Sequence, residues 1–168
     1  NGRATRMSGT NVDITDRKLG EQALRRAEER YRNFIALSGE AIFRLALRDP
    51  VAVGESEERL VNAVLDGAVL AESNVAHARL YGFETEQATV GLPMERFGGR
   101  EVSRRLIDAF VRNGLRLDHA EWSEGAGESE RWFRGSLLGT VSEGRLVDIW
   151  GTRAEVTAAK RQERELVT

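Results

Sequence analysis

The sequence predicts a single α+β domain built on an antiparallel sheet, and two observations lead to this prediction. Strand-like alternation of apolar and polar residues occurs near both ends, and the middle holds several short helical segments. The last third contains three strand-like runs separated by short turns, which is typical of an antiparallel meander. Strands grouped on both sides of a helical middle favour an α+β domain over a parallel βαβ sheet.

The composition limits the classes of function. The chain has 168 residues, with 25 Lys+Arg against 27 Asp+Glu, 2 His and no Cys. This length is enough for one domain with a buried core. The near-neutral charge gives no electrostatic reason to bind nucleic acid or an anionic membrane. No apolar run approaches the roughly 20 residues of a membrane span, so we expect no direct span. The absence of Cys fits a cytoplasmic location, which we expect.

A ten-residue pattern occurs twice, at residues 9–18 and 151–160. Both copies read Gly-Thr-x-x-acid-β-branched-Thr-x-x-Lys and precede a charged helical stretch. The threonine is a good helix N-cap, and the acid favours the same helix end. We therefore predict a strand followed by a capped helix in each copy, unless two unrelated helix starts coincide. The acid and threonine are Asp13 and Thr15 in the first copy and Glu155 and Thr157 in the second.

The repeat also suggests how the chain is organised. We expect residues 1–15 to be the tail of a preceding module and residues 16–38 to be a connector helix. Residues 39–157 then form a complete module, and residues 158–168 begin an output helix. On this interpretation both ends continue into a longer polypeptide.

The predicted connector helix has a narrow apolar stripe, which we call the seam, and charged residues over the rest of its surface. The seam residues follow a 3-4-3-4 spacing: Leu24, Ala27, Tyr31, Phe34 and Ser38. Two heptads are too few to specify a coiled coil by themselves. The seam favours self-association of two copies, and a helix lying on its own domain is the alternative.

The first half of the module alternates strands with short helices. Residues 41–47 read as a strand with Phe43, Leu45 and Leu47 on one face, and residues 48–55 read as a loop. A helix capped by Ser56 follows, and residues 69–71 read as a short strand. The apolar stripe of that helix is Leu60, Val61, Val64, Leu65 and Ala68.

A short helix capped by Asn74 and a longer helix over residues 101–113 complete the helical middle. A short turn over residues 85–93 lies between them. Gly114 follows the longer helix as its C′ residue. The apolar stripe of the longer helix is Val102, Leu106, Ala109 and Phe110.

The last third predicts three strands, over residues 115–122, 131–141 and 145–153. The middle strand places Phe133, Leu137 and Val141 on one face and Trp132, Leu138 and Thr140 on the other. The final strand places Val147 and Ile149 opposite Leu146 and Trp150. Trp122, Trp132 and Trp150 would form an aromatic patch on the outer face of the sheet, with Trp132 and Trp150 as cross-strand neighbours, or would fill the core.

Several segments together resemble the PAS sensor family. Their order and spacing cover roughly residues 9–168, and no single motif is specific. The segments are residues 13–18 followed by 27–32, the stretch 74–83, the Val-Gly turn of 90–93, and the strand pieces 132–136 and 148–152. The chain departs from the family at residues 48–68, where a loop and a helix are inserted between the first two strands.

The resemblance implies a five-stranded antiparallel sheet with short helices on one face. It implies a sensory or regulatory role in a bacterial-type signalling protein, such as a histidine kinase, a diguanylate cyclase or a transcription regulator. The expected partners are a second copy of the chain and an output effector domain in the same polypeptide. The junctions at Asp13 and Thr15 and at Glu155 and Thr157 would relay the signal.

The residues do not predict an enzyme, because no Gly-x-Ser-x-Gly elbow, Walker loop or paired-His helix occurs. Two histidines without cysteine do not favour a structural metal site. The missing cysteine also excludes a covalent flavin adduct. Haem is not favoured either, because His77 and His119 lie outside the long helix that carries the haem ligand in family members. We expect His77 to face solvent or to be hydrogen-bonded locally, and His119 to be an ordinary sheet residue.

A cavity between the sheet and the helices is the candidate binding site. An apolar ligand with one polar end, such as a fatty acid or a small aromatic molecule, would fit it, and non-covalent flavin stays open. The same side chains could simply form the core, which would leave a ligand-free module for dimerisation and spacing. The candidate pocket residues are Phe43, Leu45, Tyr81, Leu106, Phe110, Leu138 and Trp150, with Arg134 or Ser136 as the polar anchor.

Overall fold

The computed structural model describes residues 8–167, with side chains from residue 14 onward. The chain divides into two compact units, one ending at Leu37 and the other beginning at Ser38. No helix within residues 8–167 is both long enough and apolar enough to cross a membrane.

The first unit contains the helix α1, Ser8–Leu37. Thr15 lies inside this helix, so the prediction that Thr15 caps the helix after a strand is wrong. Once a helix has nucleated, each added residue gains a hydrogen bond, and the helix therefore continues toward Ser8 past the expected cap. The side chain of Asp13 lies outside the described residues, and its relay role stays a prediction. Leu24 and Phe34 of the seam are exposed.

The second unit is built on a five-stranded antiparallel sheet. The strand order is β2-β1-β5-β4-β3, so the first and last strands of the unit meet in the centre. Phe43 pairs with Gly151 and Leu45 pairs with Ile149 across that central ladder. The strands are β1 Ala41–Ala52, β2 Ala68–Ser73, β3 Arg116–Glu124, β4 Arg131–Ser142 and β5 Arg145–Glu155.

Three helices lie between β1 and β3: α2, Glu57–Gly67, α3, Val75–Leu80, and α4, Arg100–Arg112. The predicted caps are confirmed, since Ser56 accepts from the N–H of Arg59 and Asn74 accepts from the N–H of His77. The inserted helix α2 packs against α4 and β1. Together these helices cover one face of the sheet.

The predicted loop over residues 48–55 is wrong, because β1 continues to Ala52. Pro50 is tolerated there because the β1–β5 register shifts between Ala46 and Val51, where the ladder does not require every N–H. The insertion therefore lengthens the strand before α2 begins.

The core lies between the sheet and the helices, and it contains the alternating residues of β1 and the buried stripes of α2 and α4. One predicted orientation is wrong: Leu146 is buried on the same side as Ile149, not on the side of Trp150. A register shift between Thr140 and Val141 inserts one residue into β5, which turns Leu146 inward.

Candidate functional site

A small cavity lies between the sheet and the helices of the second unit. Phe43 and Leu106, two of the predicted pocket residues, line this cavity, which measures about 10 Å³. That volume is enough for roughly one water molecule, whereas pockets for drug-sized ligands measure roughly 300–1,000 Å³. This cavity is therefore too small for a flavin, a haem or a fatty acid. Ser136 also borders it, but its hydroxyl accepts from the N–H of His119 at 3.0 Å, so its prediction as the polar anchor is wrong. Leu45 and Phe110 lie in the surrounding core, and Tyr81 packs against it.

Three predicted pocket residues face away from the interior. Arg134, Leu138 and Trp150 lie on the outer face of the sheet, because β4 and β5 turn Leu137 and Ile149 inward. Their placement in the pocket is therefore wrong. Arg134 instead donates to the carboxylate of Glu121, with 2.7 Å between Nη2 and Oε1.

A buried arginine, Arg153 at the end of β5, occupies the interior beside the cavity. Only 4% of it is exposed. Its Nη1 donates to the carbonyl oxygen of Phe97 at 3.0 Å and to the hydroxyl of Tyr81. The carboxylate Oε1 of Glu124 lies 3.6 Å from the same nitrogen. An arginine buried this deeply needs such partners because it cannot lose its proton.

Glu124 is fixed by two aromatic donors. The hydroxyl of Tyr81 donates to Oε1 of Glu124 at 3.0 Å, and the indole Nε1 of Trp122 donates to the same oxygen at 2.9 Å. Burial is the main reason that the pKa of Tyr81 rises to about 12, with Glu124 adding to the rise and Arg153 opposing it. Tyr81 therefore keeps its proton and stays a donor at neutral pH.

Three aromatic rings surround the guanidinium of Arg153. Its central carbon lies 4.9 Å from the ring centroid of Phe43, 5.4 Å from that of Tyr81 and 5.5 Å from that of Trp122. All three distances are within the roughly 6 Å at which a cation is attracted to a ring face. We name this group, Phe43, Tyr81, Trp122 and Glu124 around Arg153, the Arg153 cage.

Two glycines make room for the rings of the cage. A Cβ at Gly151 of β5 would collide with the ring of Phe43, and a Cβ at Gly135 of β4 would lie 2.9 Å from Cη2 of Trp122. Trp122 therefore lies on the inner face of the sheet, and its expected place in an outer patch with Trp132 and Trp150 is wrong.

His77 of α3 lies against the cage and is buried, so the expectation that it faces solvent is wrong and the hydrogen-bonded alternative is confirmed. Its Nδ1 lies 3.0 Å from Oγ of Ser73, whose hydroxyl donates to the carbonyl of Asn74. Burial, assisted by the charge of Arg153, lowers the pKa of His77 to about 3. A neutral imidazole with so low a pKa is a poor general base for Ser73.

The remaining histidine is not an ordinary strand residue. His119 is exposed and has φ 51° at the register shift between Leu117 and Ala120 in β3. Within the part of the chain that the structure describes, no group of three or more metal-ligating side chains occurs.

The junction between β5 and the C-terminal helix α5, Thr157–Val167, is held by side chains of β4 and β5. Glu155 accepts from Arg131, with 3.1 Å between Nη2 and Oε2, and from the hydroxyl of Thr157 at 2.9 Å. The hydroxyl of Thr157 in turn accepts from the N–H of Trp132 at 2.9 Å. Thr157 is therefore the first residue of α5 but not its cap, because its oxygen is used by the neighbouring strand.

Helix α5 also contacts the outer face of the sheet. Nζ of Lys160 lies 2.5 Å from Oε2 of Glu121 and 5.6 Å from the ring of Trp132, and the guanidinium of Arg164 lies 5.2 Å from the same ring. Trp132 and Trp150 are not cross-strand neighbours, because Trp150 pairs with Leu138.

A surface groove of about 400 Å³ lies beside α3, where β1 begins and β5 ends. Glu40, Ala76, Leu80 and Glu155 line it, and Arg153 lines both this groove and the interior cavity. Arg153 is thus the residue of the cage that also contacts this groove.

Comparison with solved structures identifies the fold. The unit is similar to the PAS domain of a protein from Colwellia psychrerythraea, with a TM-score of 0.56 and 12% identity over 79% of this chain and 98% of that chain. The chain has the PAS fold. No protein-family model and no curated protein matches the sequence.

Two further structures share the PAS fold. An RNA-binding light-oxygen-voltage receptor has a TM-score of 0.55 and 17% identity, and the match covers 99% of this chain but 40% of that chain. The PAS domain of a LuxR-family transcriptional regulator from Burkholderia thailandensis, in complex with ethanol, has a TM-score of 0.50 and 11% identity over 75% of this chain and 96% of that chain.

The PAS fold brings together residues that the sequence did not single out. Arg153, Glu124 and Trp122 meet in the interior, and none of them is among the predicted pocket residues. Alternation along β5 could have indicated that Arg153 points inward, because it follows Ile149 and Gly151 at every second position. Likewise, Glu124 follows Trp122 with one residue between them.

Proposed function

We propose that this PAS-fold domain is a sensory or regulatory module that relays a change in its interior to α5. The observation that supports this proposal most strongly is the shared use of Glu155 by Arg131 and Thr157. One carboxylate thereby connects a side chain of β4 to the first residue of the departing helix.

Arg131 also links this junction to the helical layer. Its Nη1 donates to the carbonyl oxygen of Leu80 at 2.8 Å, at the C-terminal end of α3. Tyr81, which follows Leu80, belongs to the Arg153 cage. A displacement of α3 or of the cage would therefore change the position of Arg131, and through Glu155 it would bias the docking of α5.

The ion pair between Arg131 and Glu155 is weak enough to be formed or broken when the domain changes state. The side chains of Arg131 and Glu155 are about one-third exposed, so their ion pair contributes modestly to stability. A ligand or partner shifts a two-state equilibrium only by its differential affinity for the two states. A ligand whose affinities for the two states differ only modestly can therefore break or form the weak ion pair between Arg131 and Glu155.

The wider setting of the module belongs to the same proposal. We infer a homodimer held along α1, with Leu24, Ala27, Tyr31 and Phe34 as the contact residues, and an effector domain in the same polypeptide. Both inferences rest on the seam in the sequence and on the PAS fold. The role is regulatory and not catalytic, since the contact between Ser73 and His77 lacks a competent base at neutral pH.

Hydrogen exchange of the α5 amides tests the relay. Glu155→Gln weakens both contacts at the junction, so we expect the amides of α5 to exchange at least several-fold faster while the central strands keep their protection. Glu84→Gln, at an exposed glutamate after α3, is the matched control. Unchanged exchange of α5 in Glu155→Gln would refute the junction as the relay.

A ligand-free module for dimerisation and spacing is the second candidate, favoured by the cavity of about 10 Å³. Both candidates predict self-association through α1. Leu24→Glu with Tyr31→Glu should give monomers in sedimentation experiments, and Arg26→Glu should not. Native mass spectrometry of the purified chain then separates the two candidates, because a co-purifying small molecule contradicts the ligand-free one.

A further inference from the structure

Three aromatic rings and a carboxylate in the interior form a site that suits a cation. The guanidinium of Arg153 already lies in this site. Aromatic rings that converge on one point, together with a carboxylate, form the arrangement by which proteins recognise organic cations. Phe43, Tyr81 and Trp122 provide the rings, and Glu124 provides the carboxylate. The cation that they surround is the chain's own Arg153.

Glu124 and Trp122 of the cage also have partners other than Arg153. Glu124 is held by the hydroxyl of Tyr81 and the indole of Trp122, and neither hydrogen bond involves Arg153. The ring of Trp122 also stacks on Phe133, with 5.8 Å between the ring centroids. Removal of the arginine side chain would therefore leave the walls and the carboxylate with partners of their own.

The cavity that remains beside the Arg153 side chain is small. The cavity beside the cage measures about 10 Å³. A guanidinium or a small alkylammonium ion satisfies the same rings, the same carboxylate and the carbonyl of Phe97. A neutral molecule of similar shape lacks the charge that the rings and the carboxylate attract.

We propose that the Arg153 cage is an organic-cation site in which Arg153 serves as the resident ligand. The chemical class that the cage takes is a guanidinium or small alkylammonium ion. An external cation enters from the groove that Arg153 also lines, once the arginine side chain has left the cage. The proposal deepens the proposed function by naming a ligand class, and it rests on that function only for the consequence that cage occupancy would have at α5.

Removal of the resident ligand and its replacement by a small cation test the proposal. Arg153→Ala should lose thermal stability, and methylguanidinium chloride should restore part of it in a saturable manner. At about ten times the dissociation constant we expect a rise in Tm of about 5 °C. Sodium chloride at matched ionic strength and urea, a neutral molecule of similar shape, should give no saturable rise. Wild-type protein, in which methylguanidinium must first displace the Arg153 side chain, should need a higher concentration for the same rise.

Two results would overturn the proposal. One is a folded Arg153→Ala protein that shows no saturable response to methylguanidinium, and the other is an equal response to urea. If Arg153→Ala does not fold, NMR of the wild type decides instead. The Nε–H proton of Arg153 should be shifted upfield by the rings and should exchange slowly with water, and an ordinary shift with fast exchange would contradict the cage. The thermal measurements report cation binding and the NMR measurement reports the surroundings of Arg153. Neither reports relay, so their failure is distinguishable from failure of the proposed function.

Discussion

The hydroxyl of Thr157 accepts a hydrogen bond from the backbone N–H of Trp132, with 2.9 Å between the two atoms. This bond connects the first residue of α5 to β4 at the place where β5 ends. The same hydroxyl donates to Glu155, so one oxygen joins two strands and the helix. The position of α5 therefore depends on β4 as well as on the strand from which it emerges.

Loss of this hydroxyl should loosen α5. Thr157→Val keeps the shape of the side chain but leaves the N–H of Trp132 without its acceptor, which should cost about 1 kcal/mol of unfolding free energy. Thr157→Ser keeps the hydroxyl and should stay within about 0.5 kcal/mol of the wild type. Chemical denaturation of both variants measures the difference, and equal losses would show that the hydroxyl does not hold the helix.

Glu155 should make stability depend on pH in the acidic range. Its hydrogen bond with Arg131 lowers the pKa of Glu155 below the ordinary value of 4.5, so its charged form is favoured in the folded state. This contribution is therefore present above about pH 4.5 and is lost as the pH falls through the lower, folded pKa.

The difference in Tm between wild type and Glu155→Gln is the measurement for this carboxylate. It should be constant between pH 6 and pH 8 and should shrink below about pH 4.5. Glu84→Gln serves as the control at an exposed glutamate. A difference that grows as the pH falls would contradict the assigned sign.

His77 should make the free energy of unfolding depend on pH between about pH 7 and pH 5. Its folded pKa of about 3 lies below the ordinary value of 6.5, so the unfolded chain binds the proton first. The contribution of His77 is fully present above pH 6.5 and is lost as the pH falls from 6.5 toward 3. We expect a loss of about 2 kcal/mol between pH 7 and pH 5.

Two histidine variants isolate this effect. Denaturation between pH 7 and pH 5 should show a flatter slope for His77→Gln than for the wild type. His119→Asn, at the exposed bulge of β3 where asparagine tolerates the positive φ, should keep the wild-type slope. An unchanged slope in His77→Gln would mean that the buried imidazole does not stay neutral.

The local patterns were sufficient to predict most of the fold. Alternation placed Phe43, Leu45 and Leu47 inward, and side-chain caps placed α2 and α3, because these signals depend on neighbouring residues only. The predicted orientation of Leu146 was wrong because a register shift depends on the partner strand and cannot be read from the pattern of apolar residues in β5.

The candidate site was harder to predict than the fold. The residues of the Arg153 cage come from β1, the C-cap position after α3, β3 and β5, and strand order sets the convergence of the three strands. Charged residues at inward positions were passed over because an isolated buried charge is costly. Only the combination of Arg153 with Glu124 and three rings makes the position favourable. The sequence therefore predicted the apolar residues of the interior but not its charged residues, Arg153 and Glu124.

The close packing of Phe43 on Gly151 should make that glycine intolerant of a side chain. Gly151→Ala places a Cβ against the ring of Phe43, and we expect it to destabilise the protein by roughly 1–3 kcal/mol. Gly67→Ala, at the end of α2, has no heavy atom within 4 Å of the added Cβ. It should be neutral or stabilising by up to about 1 kcal/mol. Equal effects in the two variants would show that Phe43 does not occupy the space above Gly151.

A double-mutant cycle between Tyr81→Phe and Thr157→Val tests the central claim most directly, because it asks whether the cage and the start of α5 are energetically connected. The path between them runs through Leu80, Arg131 and Glu155. If the relay operates, the unfolding free energies of the single variants should fail to add by at least about 0.5 kcal/mol in the double variant. Additivity within about 0.3 kcal/mol would show that the cage and α5 are independent, and it would contradict the account.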